Sequence, residues 1–154
     1  FGHGSMTALF ISSEGYIYDR THTKMIAELG GLSRIMPVAS TYFIVAAMAS
    51  MGIPFLASFW GELMVFIAAF KTYPVRGALA VSALVVSALF MLRMVQHTFY
   101  GPKNEKYAQL PDVPFGLGIP RMILLIVLVA FGLYPTLMFD MIETASIPFI
   151  NGLL

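Results

Sequence analysis

The sequence predicts an all-α polytopic membrane protein with about four transmembrane helices, the second of them broken near Pro54. Three observations lead to this prediction. Hydrophobic residues make up 58% of the 154 residues and charged residues only 11%, the mean hydropathy is +0.82, and the apolar residues gather in four long stretches. Soluble domains are usually about 45–50% apolar and about 25% charged, so this chain has too little polar surface to cover a water-soluble globule. Composition excludes a disordered chain and an ordinary soluble enzyme.

The charge balance and the absence of cysteine exclude further classes. Nine Lys and Arg against eight Asp and Glu give a net charge of +1, which provides no strong field for nucleic acid. Without cysteine there are no disulfides, thiolate metal sites or cysteine-held iron–sulfur clusters. The chain also has no dinucleotide-binding glycine fingerprint. We therefore expect no cofactor and no metal site in this chain.

The first apolar stretch, residues 1–18, is expected to be a helix. Its 18 residues correspond to a length of about 27 Å, which is marginal for a bilayer core of about 30 Å. Because its first residue is already apolar, we expect it to be the tail of a longer span. The whole chain, residues 1–154, is then expected to be the C-terminal segment of a membrane domain whose earlier spans are missing.

The second apolar stretch, residues 36–70, has an unusual length. A straight helix of this length would measure about 52 Å, yet two spans of about 20 residues each and a turn would not fit. Gly52 and Pro54 lie in the middle, and proline removes a backbone donor while glycine permits unusual backbone angles. We predict one span made of two half-helices with a non-helical link, as at ion and substrate sites of transporters. A proline kink and a tight helical hairpin are the alternatives.

The third and fourth apolar stretches are residues 78–100 and 119–140. Three polar linkers separate the four stretches, and they differ in basic residues. Six Lys or Arg lie in or beside the first and third linkers, namely Arg20, Lys24, Arg34, Lys103, Lys106 and Arg121, whereas only Lys71 and Arg76 lie in the second. Because basic residues favour the cytoplasmic side, the first and third linkers are predicted to be cytoplasmic and the C-terminus to lie outside.

Two ionisable residues inside the apolar stretches are candidates for a proton relay. Glu62 lies eight residues after Pro54 with apolar neighbours on both sides, and intramembrane ionisable residues are functional hypotheses by default. His3 lies in a small-residue surface with Gly2 and Gly4, and its imidazole titrates near neutral pH. The alternative for each is a structural hydrogen bond between helices.

Glu14 and His97 are accessory candidates. Glu14 is predicted near the membrane interface, one helical turn from Tyr18, where a structural role is favoured. His97 lies at the end of the third span, four residues after Arg93, and could be close to a proton entrance.

Several segments together resemble a known family. They are His3–Phe10 (HGSMTALF), Tyr18–Lys24 (YDRTHTK), Gly30–Leu32, Met36–Pro37, Gly52–Pro54 and Phe59–Leu63 (FWGEL). In this order and spacing they resemble the C-terminal part of the antiporter-like M chain, subunit 4, of proton-pumping NADH:quinone oxidoreductase, respiratory complex I. The resemblance covers the whole chain and is strongest over about the first 70 residues.

This resemblance implies that the four stretches are the last of fourteen spans and that the broken one is the twelfth. It further implies proton translocation along a buried hydrophilic axis, in which His3 matches the axis histidine and Glu62 the glutamate at the exit. The implied partners are neighbouring antiporter-like chains in an energy-transducing membrane, with a bacterial or archaeal plasma membrane favoured over an organelle membrane. Electron transfer would then occur in partner subunits.

Related chains leave alternatives open. The same chain type occurs in quinone reductases fed by ferredoxin or coenzyme F420, in membrane-bound hydrogenases and in multisubunit cation/proton antiporters. A purely structural subunit of the membrane arm is the remaining alternative.

Overall fold

The computed structural model describes residues 1–151, and residues 152–154 of the predicted C-terminal segment lie outside this range. Every long regular element in the described residues is a helix, which confirms the all-α prediction. The six α-helices are α1 (Gly2–Thr21), α2 (Pro37–Ser50), α3 (Ala57–Thr72), α4 (Pro74–Phe99), α5 (Phe115–Leu133) and α6 (Thr136–Asn151). Short 3-10 turns occupy parts of the first and third linkers.

Proline and left-handed backbone set several of the helix ends. α2 and α4 each begin with a proline, whose missing N–H is not needed in the first turn. α1 ends at His22, which has a φ of 53° and donates its N–H to the carbonyl of Tyr18, as in a left-handed C-cap. Only Tyr73 separates α3 from α4, because Pro74 ends the first helix and starts the second.

The second predicted span is broken as expected. α2 and α3 are separated by residues 51–56, and α1 runs antiparallel along α2 until its first turn reaches the start of α3. Tyr16 of α1 shares one apolar cluster with Met36, just before α2. At the other end of α1, a Cβ on Gly2 would lie 3.0 Å from the carbonyl carbon of Ala57 in α3. The single helix α4 packs against Phe70 of α3 near its start and against Phe43 of α2 at its end, so α2 and α3 form one interrupted span and not a hairpin.

The first and third linkers lie at the same end of the bundle. The Ser33 hydroxyl donates to the Phe99 carbonyl at 2.6 Å, and the Asn104 side chain donates to the Glu28 carbonyl at 3.0 Å. Asp112 of the third linker accepts the N–H groups of Val38 and Ala39 at 2.7 and 3.1 Å, so it caps the start of α2. Their shared position agrees with the prediction that the first and third linkers lie on the same side of the membrane. The assignment of this side to the cytoplasm stays a prediction.

The fourth apolar stretch differs in its bounds from the predicted 119–140. α5 begins earlier, at Phe115, and ends at Leu133, and a separate helix starts at Thr136. Pro135 explains the interruption, because it has no N–H to continue the hydrogen bonds of α5. Hydropathy alone does not predict that the helix ends here, since the residues on both sides of Pro135 are apolar.

Within residues 1–151, two helices are long and apolar enough to cross a membrane by themselves. They are α4, with 26 residues, and α5, with 19 residues. Only 6% of the apolar window of α4 is buried within the chain, so most of this helix presents apolar side chains outward. An outward-facing helix of this kind is typical of a membrane span and not of a soluble core.

Candidate functional site at the helix break

The link between α2 and α3 contains two residues in left-handed backbone conformations. Gly52 has a φ of 67° and Phe55 a φ of 78°. Glycine adopts such angles readily, but a phenylalanine there costs about 1–3 kcal/mol and persists only where its surroundings hold it. Strained residues of this type cluster at functional sites, so the break is the first place to look for one.

Hydrogen bonds across the break satisfy the end of α2. The Ser58 hydroxyl, in the first turn of α3, donates to the Ala49 carbonyl at 2.5 Å. The N–H of Gly52 also donates to the Ala49 carbonyl, at 3.3 Å. Carbonyls at a helix C-terminus lack donors within the helix, and these two bonds supply donors to the carbonyl of Ala49.

The carboxyl group of Glu62 lies directly against Gly52. A Cβ added to Gly52 would overlap Oε2 of Glu62, so residue 52 must lack a side chain for the carboxyl to occupy this position. Oε2 is fully buried and has no hydrogen-bond partner among the described residues. A buried carboxyl oxygen without a protein partner is costly unless water or a proton satisfies it.

Glu62 also lines a half-open cavity of about 390 Å³, and Gly52 is not part of the wall of this cavity. It is large enough for several water molecules, and most of its wall is apolar. Four helices form the wall, and the lining includes Phe1, His3, Met6, Ser58, Trp60, Glu62, Phe131 and Phe139. Glu62 therefore borders this cavity, while its Oε2 packs against Gly52.

His3 is exposed and lines the same cavity from the first turn of α1. The close backbone packing of Gly2 on Ala57 and Ser58 holds this turn against the start of α3. The structure thus brings together His3, Glu62 and Gly52. Pro54 lies in the same link with an exposed side chain, and it interrupts the helix without lining the cavity.

The two accessory candidates lie elsewhere. Glu14 is exposed and lines a separate cavity of about 200 Å³, together with Lys24 and Thr98. His97 is also exposed and lines a cleft of about 520 Å³ between the first and third linkers, near Lys103. Neither side chain reaches the cavity that contains Glu62.

Two residues at this site were not among the sequence-based candidates. Trp60 is the single tryptophan of the chain, and its indole N–H donates to the Gly132 carbonyl of α5 at 2.8 Å. Its position two residues before Glu62 was a usable signal, whereas nothing in the local sequence marks Gly132 as its partner. Within residues 1–151, no group of three or more His, Cys, Asp or Glu side chains is arranged to hold a metal ion.

The fold and the site together define a polytopic helical membrane protein with an interrupted span that carries a buried carboxyl group. Residues 1–90 match the family described as "NADH:quinone oxidoreductase/Mrp antiporter, TM". The chain belongs to this family, which confirms the resemblance found in the sequence and identifies it as part of a multi-pass membrane subunit.

Named relatives agree with this assignment. Subunit M of NADH-quinone oxidoreductase from Mycobacterium tuberculosis is 33% identical over 143 residues, which cover 93% of this chain and 26% of that protein. F(420)H(2) dehydrogenase subunit M from Methanosarcina mazei is 32% identical over 146 residues, which cover 95% of this chain and 30% of that protein. The chain thus spans less than a third of the length of these relatives.

Two solved structures have the same fold. The first is the Mrp complex from Dietzia sp. DQ12-45-1b, with a TM-score of 0.77 at 21% identity, covering 89% of this chain and 34% of that one. The second is the membrane-bound sulfane sulfur reductase, an archaeal respiratory membrane complex, with a TM-score of 0.78 at 26% identity, covering 85% and 22%. Both are assemblies of several subunits.

Proposed function

We propose that this chain is part of a membrane-arm subunit that translocates protons in a complex I-like quinone oxidoreductase, with Glu62 and His3 as relay residues. The observation that carries the proposal is the Glu62 carboxyl, whose buried Oε2 lies at the helix break without a protein partner. A carboxyl beside a cavity, at a break in a membrane span, is suited to take up and release protons.

His3 is the second relay group in this proposal. His3 lines the same cavity as Glu62, and an imidazole can form hydrogen bonds with water through both ring nitrogens. The cavity provides room for a chain of water molecules between the two side chains. Protons would then pass between His3 and Glu62 through water without direct contact between the side chains.

The electron-transfer reaction is assigned to partner subunits in this proposal. The relatives are named as subunits of larger dehydrogenases, and this chain contributes no cysteine ligands. The proposed partners are neighbouring membrane subunits of the same complex, including other antiporter-like chains.

Glu62→Gln in the assembled complex tests the relay. The amide keeps the shape of the carboxyl but cannot take up a proton, so the ratio of protons moved to electrons transferred should fall strongly. Proton uptake in inverted membrane vesicles and quinone reduction are measured together, per amount of assembled complex. Glu143→Gln is the matched control, because Glu143 is exposed on α6.

The two variants also distinguish a proton-relay role of Glu62 from a purely structural role. If Glu62 only locks helices together, Glu62→Gln lowers the yield of complex while each remaining complex moves protons normally. A normal proton-to-electron ratio in Glu62→Gln would refute the relay proposal.

A cation/proton antiporter subunit is the second candidate. It is favoured by the family description, which includes the Mrp antiporter. Sodium-dependent proton movement in vesicles that receive no electron donor would support this candidate. Proton movement that requires a donor and is indifferent to sodium supports the oxidoreductase.

A further inference from the structure

We propose that Trp60 is a positioning residue, which holds α3 against the end of α5 so that the Glu62 carboxyl stays at the helix break. This inference rests on the proposed relay function of Glu62 and extends it to the group that fixes its place. It follows from one hydrogen bond, one close backbone contact and the position of Trp60 on α3.

The hydrogen bond joins Trp60 to a carbonyl at the end of α5. The indole N–H of Trp60 donates to the carbonyl of Gly132 at 2.8 Å. Gly132 lies in the last turn of α5, where carbonyls lack helical donors, and α6 begins anew at Thr136. In a medium of low dielectric constant, both groups would be costly if left unpaired.

The backbone contact lies immediately beside this hydrogen bond. A Cβ on Gly132 would overlap the carbonyl oxygen of Phe55 and would lie 2.6 Å from the Cα of Leu56. The missing side chain of Gly132 therefore lets the link between α2 and α3 touch the backbone of α5. This contact helps to hold Phe55 in its strained left-handed conformation.

The indole ring also contacts neighbouring aromatic rings. Its centroid lies 5.4 Å from that of Phe59 and 6.3 Å from that of Phe139 in α6, both edge to face. Pairs of this geometry add packing energy beyond burial. The Trp60 side chain thus connects α3 with the end of α5 and the start of α6.

The placement of Trp60 makes the position of Glu62 sensitive to these contacts. The two residues are separated by two positions, so their side chains leave α3 about 200° apart around its axis. A rotation of α3 by about 20° would move a group about 6 Å from the axis by about 2 Å. Such a shift would take Oε2 out of its contact with Gly52.

Trp60→Phe in the assembled complex tests this inference. Phenylalanine retains an aromatic ring but loses the N–H donor, and the loss of one partly buried hydrogen bond corresponds to about a two- to tenfold change in the population of the positioned state. We expect the proton-to-electron ratio to fall by about this factor and the pH profile of proton movement to shift. Phe59→Leu is the matched control, because Phe59 touches the indole without donating to α5.

Gly132→Ala provides a second test of this inference that leaves Trp60 unchanged. Its methyl group would displace the link at Phe55, so we expect a similar loss of proton movement per electron. This variant keeps the inference testable if Trp60→Phe assembles poorly.

The outcomes separate this inference from the proposal on which it rests. If Glu62→Gln moves protons normally, the relay proposal fails and the role of Trp60 fails with it. If Glu62→Gln loses proton movement while Trp60→Phe and Gly132→Ala keep a normal ratio and pH profile, only the inference on Trp60 is refuted. An equal loss in Phe59→Leu also refutes it, because aromatic packing and not the hydrogen bond would then be responsible.

Discussion

Replacing Gly52 with alanine should displace the carboxyl group of the proposed relay residue Glu62. The added Cβ would overlap Oε2 of Glu62, so the carboxyl would have to leave its place at the break. The φ of 67° at this position adds about 1–2 kcal/mol of strain for a residue with a side chain. We expect a loss of stability of about this size and a fall in proton movement similar to that of Glu62→Gln.

The assay compares the proton-to-electron ratio and the thermal stability of the assembled complex. Gly15→Ala is the matched control, since Gly15 lies within helix α1, is exposed and has open space around its Cβ position. In a helix interior, this change stabilises by about 0.5–1 kcal/mol.

A double variant separates the overlap from the backbone strain. In Gly52→Ala combined with Glu62→Asp, the shorter carboxyl relieves the overlap but leaves the φ strain unchanged. Recovery of stability in the double variant would identify the overlap as the main cause. A normal proton ratio and unchanged stability in Gly52→Ala would refute the packing argument altogether.

Two further predictions concern contacts outside the cavity. Asp112→Ala should destabilise the complex by about 0.5–2 kcal/mol, because it removes the cap on the N–H groups of Val38 and Ala39. Thermal unfolding checks this, and an unchanged midpoint would contradict the cap. Arg121→Met should cost about 1–3 kcal/mol, because the guanidinium donates to the Ser12 carbonyl at 2.6 Å and joins α5 to α1. Arg121→Lys keeps the charge but lacks the planar guanidinium, so its rate of limited proteolysis should lie between those of the wild-type protein and Arg121→Met. Equal rates for the wild-type protein and both variants would contradict the contact.

The broken span could be predicted because its signals are local. Gly52 and Pro54 lie within three residues of one another, and the length of the apolar stretch excluded a single straight helix. The embedded Glu62 was likewise visible from its apolar neighbours alone. The sequence therefore located the carboxyl and the break, and the structure places them in contact.

The partners of these residues could not be predicted in the same way. Trp60 and Gly132 are separated by 72 positions, and no pattern within either helix indicates that they meet. The stop at Pro135 was missed because apolar residues continue on both sides of it. Glu14 and His97 were accessory candidates chosen from their positions near the ends of spans, and the packing of α1 and α4 determines that they line separate cavities.

The single residue between α3 and α4 has a practical consequence. Only Tyr73 connects the two helices, and a Cβ on Gly77 would lie 3.1 Å from the ring of Phe70. Because the connector is short and the packing is close, a tilt of one helix requires a movement of the other. A tilt of the half-helix that carries Glu62 would be transmitted to α4, whose outward surface is accessible to labels. Spectroscopic probes attached to the periphery of α4 could therefore report on events at the interior carboxyl without modifying the cavity itself.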